Sequence, residues 1–141
     1  MTNTATETLS VVVEREIPFP PEKIWRALTQ PHLIEEWLMK NDFKPVAGHR
    51  FNLRRDPQPN VSVVVDCQVL AVEPNKTLSY TWAAYGLESV VTWTLTPTSA
   101  GTHLRMEQSG FRPDQQQAYQ GAKAGWQGFF TVLEQVLART D

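Results

Sequence analysis

The sequence predicts an α+β domain in which a curved antiparallel sheet of about six strands wraps around one long C-terminal helix. Three observations support this prediction. Two short helical segments follow the first strand, apolar and polar side chains then alternate from Gly48 to Gly110, and an apolar stripe at helical spacing runs to the end of the chain. A period of two residues is typical of half-buried strands, and a period of 3.6 residues is typical of amphipathic helices. Strands that precede one long helix, rather than alternating with helices, indicate an α+β fold.

The first strand and the two short helices lie within the first 38 residues. Residues 9–17 alternate between apolar and polar side chains, which predicts a half-buried strand. Pro20-Pro21-Glu22 follows, and a proline with an acidic residue in the first turn is typical of a helix start. Pro31 begins a second short helix, whose apolar face ends at Leu38.

Five further strands are predicted between Gly48 and Gly110. The alternation slips at Val69-Leu70, where Leu70 and Val72 become the apolar set, and such a slip predicts a β-bulge. Residues 98–101 (Thr-Ser-Ala-Gly) predict the turn between the last two strands. The predicted inward side chains of this region are Phe51, Leu53, Val61, Val63, Val65, Cys67, Val69, Leu78, Tyr80, Trp82, Val91, Trp93, Leu95, Leu104 and Met106.

The end of the chain predicts an amphipathic helix of about six turns after Pro113-Asp114. Its apolar stripe consists of Tyr119, Ala122, Trp126, Phe129, Phe130, Leu133, Val136 and Leu137. No repeat, low-complexity tract or linker interrupts the chain. We therefore predict a flexible tail over residues 1–8 and a single domain over residues 9–141.

Composition excludes several classes of function. Hydrophobic residues make up 41% and charged residues 20% of the 141 residues, which is typical of a globular chain. A formal net charge of -2 argues against a nucleic-acid surface, and no apolar run is long enough to insert into a membrane. Residues 1–8 are mostly polar and do not form a signal peptide, and the single Cys67 cannot form an internal disulfide. These features predict a cytoplasmic protein.

Several motifs are similar to those of a known superfamily. They are Pro20-Pro21-Glu22-Lys23-Ile24-Trp25-Arg26-Ala27-Leu28-Thr29, Val69-Leu70-Ala71-Val72-Glu73-Pro74, Val91-Thr92-Trp93-Thr94-Leu95 and Gly125-Trp126. With these motifs the chain resembles the START-like (SRPBCC) superfamily, and within it the bacterial branch homologous to the activator of the heat-shock protein 90 ATPase. The resemblance implies a helix-grip fold and a link to the stress response. It does not fix the chemistry, because the superfamily includes carriers, cyclases and co-chaperones.

The chain departs from the family pattern in two respects. Ala47-Gly48 stands where a double glycine is usual, which weakens the turn before the second strand. The eukaryotic co-chaperone also carries a separate domain ahead of this one, and nothing in this sequence corresponds to it. We therefore expect no stimulation of a heat-shock protein 90 ATPase, and a chaperone contact has no support from the sequence.

The candidate ligand-binding residues are mostly large side chains on predicted inward positions. Bulky aromatic rings with polar tips suit a cavity that orients one ligand, although each ring could equally be a core residue. Gly125 lies beside the helical stripe with Gly121 and Gly128, and each glycine costs a helix about 1 kcal/mol relative to alanine. Close packing on the sheet or space for a ligand would explain them. The full candidate set is Phe51, Cys67, Tyr80, Trp82, Trp93, Met106, Tyr119, Gly125, Trp126 and Phe130.

No catalytic residue, metal ligand or cofactor is predicted. None of the three histidines has a histidine or cysteine partner at a metal-binding spacing, although His49 could reach a cavity mouth. Cys67 lies on an inward position, where a buried, unreactive thiol is the common outcome. Arg15 could anchor an anionic ligand group, but an ion pair at the rim of the domain is the simpler interpretation.

Three functional hypotheses remain open from the sequence. The first is binding of a small hydrophobic ligand (aromatic, polyketide-like or lipid-like) between the sheet and the C-terminal helix. The second is a cyclase or aromatase that uses the same cavity, which requires a buried group able to move a proton. The third is a co-chaperone-like protein, which requires an exposed interaction patch. We expect binding rather than catalysis.

Overall fold

The computed structural model describes residues 8–58 and 61–140 of the chain, in seven strands and three helices. In chain order the elements are β1 (Leu9–Ile17), α1 (Pro21–Thr29), α2 (Pro31–Trp37), β2 (Lys40–Asn41), β3 (Arg50–Gln58), β4 (Val61–Glu73), β5 (Thr77–Ala84), β6 (Leu87–Thr98), β7 (Gly101–Phe111) and α3 (Gln116–Arg139). The predicted α+β class, the two short helices after the first strand and the long C-terminal helix are confirmed.

The strands form one antiparallel sheet in the order β1-β7-β6-β5-β4-β3-β2. The sheet has one strand more than the six predicted, because Lys40 and Asn41 pair with Arg54 and Leu53. Two residues are too short to show an alternating pattern, so periodicity could not reveal this strand. β1 lies beside β7, which brings the first strand of the chain next to the last.

The predicted bulge in β4 is present. Val69 pairs with Tyr80 and Ala71 pairs with Ser79, so that one residue of β4 has no partner in the register. That residue is Leu70, and it is 47% exposed. The prediction that Leu70 joins the inward apolar set is therefore wrong, because the bulge turns the extra residue outward and only Val72 packs against the core.

The two short helices start and pack as the sequence indicates. Pro21 occupies the first position of α1, and Glu22 lies in its first turn. The indole nitrogen of Trp37 donates a 2.8 Å hydrogen bond to the carbonyl of Ala27, which joins α2 to α1. A buried indole N–H is thereby satisfied at the junction of the two helices.

The core lies between the inner face of the sheet and the C-terminal half of α3. The buried residues of α3 are Trp126, Phe130, Leu133, Val136 and Leu137. Trp93 is fully buried at the centre, with its ring 5.6 Å from Trp37, 5.7 Å from Trp126 and 5.6 Å from Phe130, centroid to centroid. No residue of α3 before Trp126 is buried. The helix therefore packs on the sheet along its second half and separates from it along its first half.

Across residues 8–58 and 61–140, no helix combines the length and the apolar composition that crossing a membrane would require.

Two glycines provide a test of the packing, because the same substitution should act in opposite directions. A Cβ added at Gly101 would clash with the carbonyl oxygen of Ile17, and the φ angle of +155° is unfavourable for other residues. We expect Gly101→Ala to lower the free energy of unfolding by about 1–3 kcal/mol. Gly128→Ala, with no atom within 4 Å of the added Cβ, should raise it by up to about 1 kcal/mol.

Urea unfolding of both variants beside the unsubstituted protein measures the two effects. If Gly101→Ala retained full stability, the close approach of the β6–β7 turn to the end of β1 would be contradicted.

Candidate ligand-binding cavity

A cavity of about 490 Å³ lies between the inner face of the sheet and the first half of α3. A volume of this size is within the range of about 300–1,000 Å³ that is usual for small-molecule sites. The side chains and backbone that line it are mostly apolar. The sheet contributes Val63, Val65, Trp82, Ala84 and Leu87, and α3 contributes Ala118, Gly121, Ala122, Gly125, Trp126 and Phe129.

Two of the helical glycines border this cavity. Gly121 and Gly125 line it, and a Cβ added at either position would have no atom within 4 Å. The same holds for Gly128, which lies outside the lining. Close packing of α3 on the sheet therefore does not explain these three glycines. The other predicted explanation, space for a ligand, fits Gly121 and Gly125, because both border the cavity.

Aromatic rings form the inner end of the cavity. The ring of Trp126 lies 5.3 Å from Trp82 and 5.4 Å from Phe129, centroid to centroid. Trp82 and Phe129 are partly buried, whereas Trp126 is 2% exposed. Ring edges and faces at these distances offer flat apolar surfaces to a planar ligand.

A chain of hydrogen bonds crosses the inner end of the cavity at Gln108. The indole nitrogen of Trp126 donates to Gln108 Oε1 at 2.7 Å, and Gln108 Nε2 donates to Ser89 Oγ at 2.9 Å. Ser89 Oγ donates in turn to the carbonyl of Trp82 at 2.8 Å. Gln108 lines the cavity although it is only 2% exposed. It is thus a buried polar group in a mostly apolar site.

Gln108 is not among the ligand-binding residues predicted from the sequence. A signal was present, because Gln108 follows Leu104 and Met106 at two-residue spacing on β7 and shares their inward face. A glutamine on an inward position of a strand is uncommon, since a buried amide must find hydrogen-bond partners.

The mouth of the cavity lies beside the turn between β5 and β6. Tyr85 in this turn has a φ angle of +51° and is 79% exposed, and its hydroxyl donates to the carbonyl of Ser62 at 3.1 Å. On the other side of the mouth, Gln115 Nε2 donates to the carbonyl of Gly86 at 3.3 Å. These two hydrogen bonds join the turn to β4 and to the segment that precedes α3.

The structure places the ten predicted site residues in three different surroundings. Trp82, Gly125 and Trp126 line the cavity. Tyr119 packs on Phe111, with centroids 5.6 Å apart, and is partly buried beside the core. The other six are buried core residues that do not line this cavity, namely Phe51, Cys67, Tyr80, Trp93, Met106 and Phe130.

Tyr80 is a buried side chain with a hydroxyl that can ionise. Its hydroxyl accepts a 3.0 Å hydrogen bond from the indole nitrogen of Trp93, and burial raises the pKa of Tyr80 well above its ordinary value. The residue packs between Phe43 and Phe51 and does not line the cavity. A ligand in the cavity therefore has no direct access to this hydroxyl.

Two polar candidates lie away from the cavity. His49 Nε2 is 2.9 Å from the carbonyl oxygen of Asp42, and its ring stacks parallel to Phe51. Arg15 approaches Glu134 at 3.9 Å and also hydrogen-bonds Gln127, in agreement with an ion pair at the rim. Within the part of the chain that the structure describes, no group of three or more His, Cys, Asp or Glu side chains is arranged to hold a metal ion.

Comparison with known families gives the same fold assignment as the geometry. Residues 18–138 match the family described as activator of Hsp90 ATPase homolog 1-like protein. The chain belongs to this family. The matched range extends from the start of α1 almost to the end of α3, and the resemblance predicted from the sequence motifs is confirmed. Among curated proteins, no significant match to the chain is found.

Several solved structures have the fold of this Hsp90-activator-like family member. Protein MLL2253 from Mesorhizobium loti is 69% identical, with a TM-score of 0.89 over 94% of this chain and 99% of MLL2253. DynU16, a protein in the dynemicin biosynthetic locus, is 27% identical, with a TM-score of 0.79 over 92% of this chain and 47% of DynU16. Protein BH1534 from Bacillus halodurans is 26% identical, with a TM-score of 0.76 over 92% of this chain and 96% of BH1534.

The chemistry of Cys67 provides a test of core burial in this family member. Burial raises the pKa of the Cys67 thiol to about 12, and the carboxylates of Asp66 and Asp42 act in the same direction. Because the thiolate is the reactive form, we expect iodoacetamide to modify the folded protein very slowly at neutral pH and the urea-unfolded protein rapidly. Mass spectrometry measures both rates. Rapid modification of the folded protein would contradict the buried position of this side chain.

Proposed function

We propose that the protein binds a small hydrophobic molecule, aromatic or polyketide-like, in the cavity between the sheet and α3. The observation that carries this proposal is the open space of about 490 Å³ beside Gly125, at the point where α3 separates from the sheet. A concave site of this size with a mostly apolar lining is typical of small-molecule binding sites. The partly buried rings of Trp82 and Phe129, which both line the cavity, favour an aromatic occupant over a flexible acyl chain.

Similarity to DynU16 supports a small-molecule ligand. That protein belongs to the dynemicin biosynthetic locus, and this chain is similar to about half of its length. The half that is shared includes the sheet and α3 because the match covers 92% of this chain. Proteins of a biosynthetic locus act on small organic molecules, and a ligand of that kind fits a cavity of this size and composition.

The side chains around the cavity favour binding over catalysis. Among the described residues that line it, only Tyr85 and Asp114 can ionise. Both lie at the mouth, and Asp114 Oδ1 is 3.2 Å from the guanidinium of Arg112. A cyclase or aromatase would need an acid or base near the buried end of its substrate. Gln108, which does lie at the buried end, can donate and accept hydrogen bonds but cannot transfer a proton at neutral pH.

A role on a chaperone is the alternative that the family description suggests. Such a role would depend on a surface patch and would not depend on an open cavity. Substitutions that fill the cavity therefore separate the two proposals, because they should abolish ligand binding and leave a surface contact with a chaperone unchanged.

Filling the cavity from the helix is the direct test of the proposed site. Gly125→Leu replaces glycine with a better helix former in open space, so we expect a free energy of unfolding equal to or up to about 1 kcal/mol above the original. The new side chain should occupy ligand volume and weaken binding at least tenfold. Gly128→Leu is the matched control, since Gly128 has open space but does not line the cavity, and it should bind normally.

Thermal melts and ligand titrations on both variants measure these effects. A marked loss of stability in Gly125→Leu would show that α3 packs tightly on the sheet at this point. Equal binding by both variants would place the ligand elsewhere.

Ligand binding should also be visible in tryptophan emission. Trp82 and Trp126 both line the cavity, so a bound aromatic compound should contact at least one of them. We expect micromolar concentrations of suitable hydrophobic aromatic compounds to quench the emission and to raise the melting temperature, because a ligand that binds only the native state stabilises it. A broad screen of apolar compounds that produced neither effect would count against the binding function.

A further inference from the structure

The orientation of the Gln108 amide is fixed by its partners. An indole N–H can only donate, so the atom of Gln108 that faces Trp126 Nε1 at 2.7 Å must be the carbonyl oxygen. The hydroxyl of Ser89 donates to the carbonyl of Trp82, which leaves the Ser89 oxygen to accept from Gln108 Nε2. Both neighbours therefore select the same amide orientation, and rotation of the amide by 180° would break two buried hydrogen bonds.

These partners use only half of the hydrogen-bonding capacity of Gln108. A carboxamide has two N–H donors and two acceptor lone pairs, and the bonds to Trp126 and Ser89 use one of each. One N–H and one lone pair remain on a side chain that is 2% exposed and lines the cavity. A ligand at the inner end could bond to either or to both.

The charge of the cavity lining also restricts which ligands can bind. No lysine, arginine or histidine is among the described residues that line the cavity. The one carboxylate, Asp114, lies at the mouth and faces Arg112. An anionic ligand group at the inner end would be buried beside Trp126 and Gln108 without a counter-ion, which is strongly unfavourable.

We infer that the cavity selects uncharged aromatic ligands whose buried end carries a hydroxyl or carbonyl group, and that Gln108 recognises this group. The inference rests on the proposed binding function and specifies the ligand class. A hydroxyl is the best match, because it can accept from the second N–H of Gln108 and donate to its second lone pair. A hydrocarbon of the same shape leaves both unpaired, and a carboxylate adds an unpaired charge.

Three probes of one ring system test the inference on the unsubstituted protein: naphthalene, 2-naphthol and 2-naphthoate. By isothermal titration calorimetry at neutral pH we expect 2-naphthol to bind about 3- to 10-fold more tightly than naphthalene, the usual gain from a buried hydrogen bond. We expect 2-naphthoate to bind at least about tenfold more weakly than 2-naphthol. This order of affinities is measured on the unsubstituted protein, so it tests the inference even if a substitution impairs folding.

Gln108→Met identifies the residue responsible, because methionine has a similar length and no amide. In this variant the preference for 2-naphthol over naphthalene, measured as the ratio of the two affinities in the same variant, should disappear. Gly128→Ala, outside the lining, is the control and should keep the original order. If Gln108→Met retained the preference for 2-naphthol, recognition by Gln108 would be excluded.

The outcomes separate the inference from the proposed function. Equal affinities for naphthalene and 2-naphthol, or tightest binding of 2-naphthoate, would overturn the inference and leave binding in the cavity intact. Absence of binding by all three probes, together with no response to the wider screen of aromatic compounds, would overturn the proposed function itself.

Discussion

The burial of Trp126 determines how the rest of the domain is arranged. Its ring contacts Trp93 on the core side and Trp82 on the cavity side, and its N–H is satisfied by Gln108. An unpaired indole N–H at this depth would cost about 1–3 kcal/mol, so the position of α3 is tied to the identity of one residue on β7. Beyond Trp126 the helix is buried on the sheet, and before it the helix separates from the sheet. Trp126 lines the inner end of the cavity together with Phe129, one turn further along the helix.

The space persists because neither side supplies the atoms to fill it. Gly121 and Gly125 present no side chain to the cavity from α3. On the opposite side, the sheet presents the small side chains of Val63, Val65 and Ala84 to the cavity. Each of these glycines lowers the stability of the helix by about 1 kcal/mol relative to alanine. That cost is offset by the packing of its second half, in which Phe130, Leu133 and Val136 are fully buried.

Periodicity predicted most of the fold but could not separate core from cavity. Tyr80 and Trp82 are successive inward residues of β5, yet Tyr80 is enclosed by the core and Trp82 lines the cavity. Alternation shows only that a side chain faces inward, and the difference depends on where α3 leaves the sheet. The point at which α3 leaves the sheet is set by contacts between residues far apart in sequence. Gly125 was predicted from a different signal, the helical stability that a glycine costs, and it lines the cavity. The same signal at Gly128 marks no part of the lining.

Hydrogen bonding explains why the sequence did not predict Gln108 as a site residue and why it placed Leu70 on the wrong face of the sheet. Gln108 lies on an inward position, but a hydrophobic pattern gives no weight to an amide, whose burial depends on partners such as Ser89 and Trp126. Leu70 was assigned inward because it is apolar, and a bulge turned it outward. In both cases hydrogen bonding, of a side chain or of the sheet, overrode the preference that side-chain polarity suggests. A site that depends on buried hydrogen bonds is therefore less visible in the sequence than the core that surrounds it.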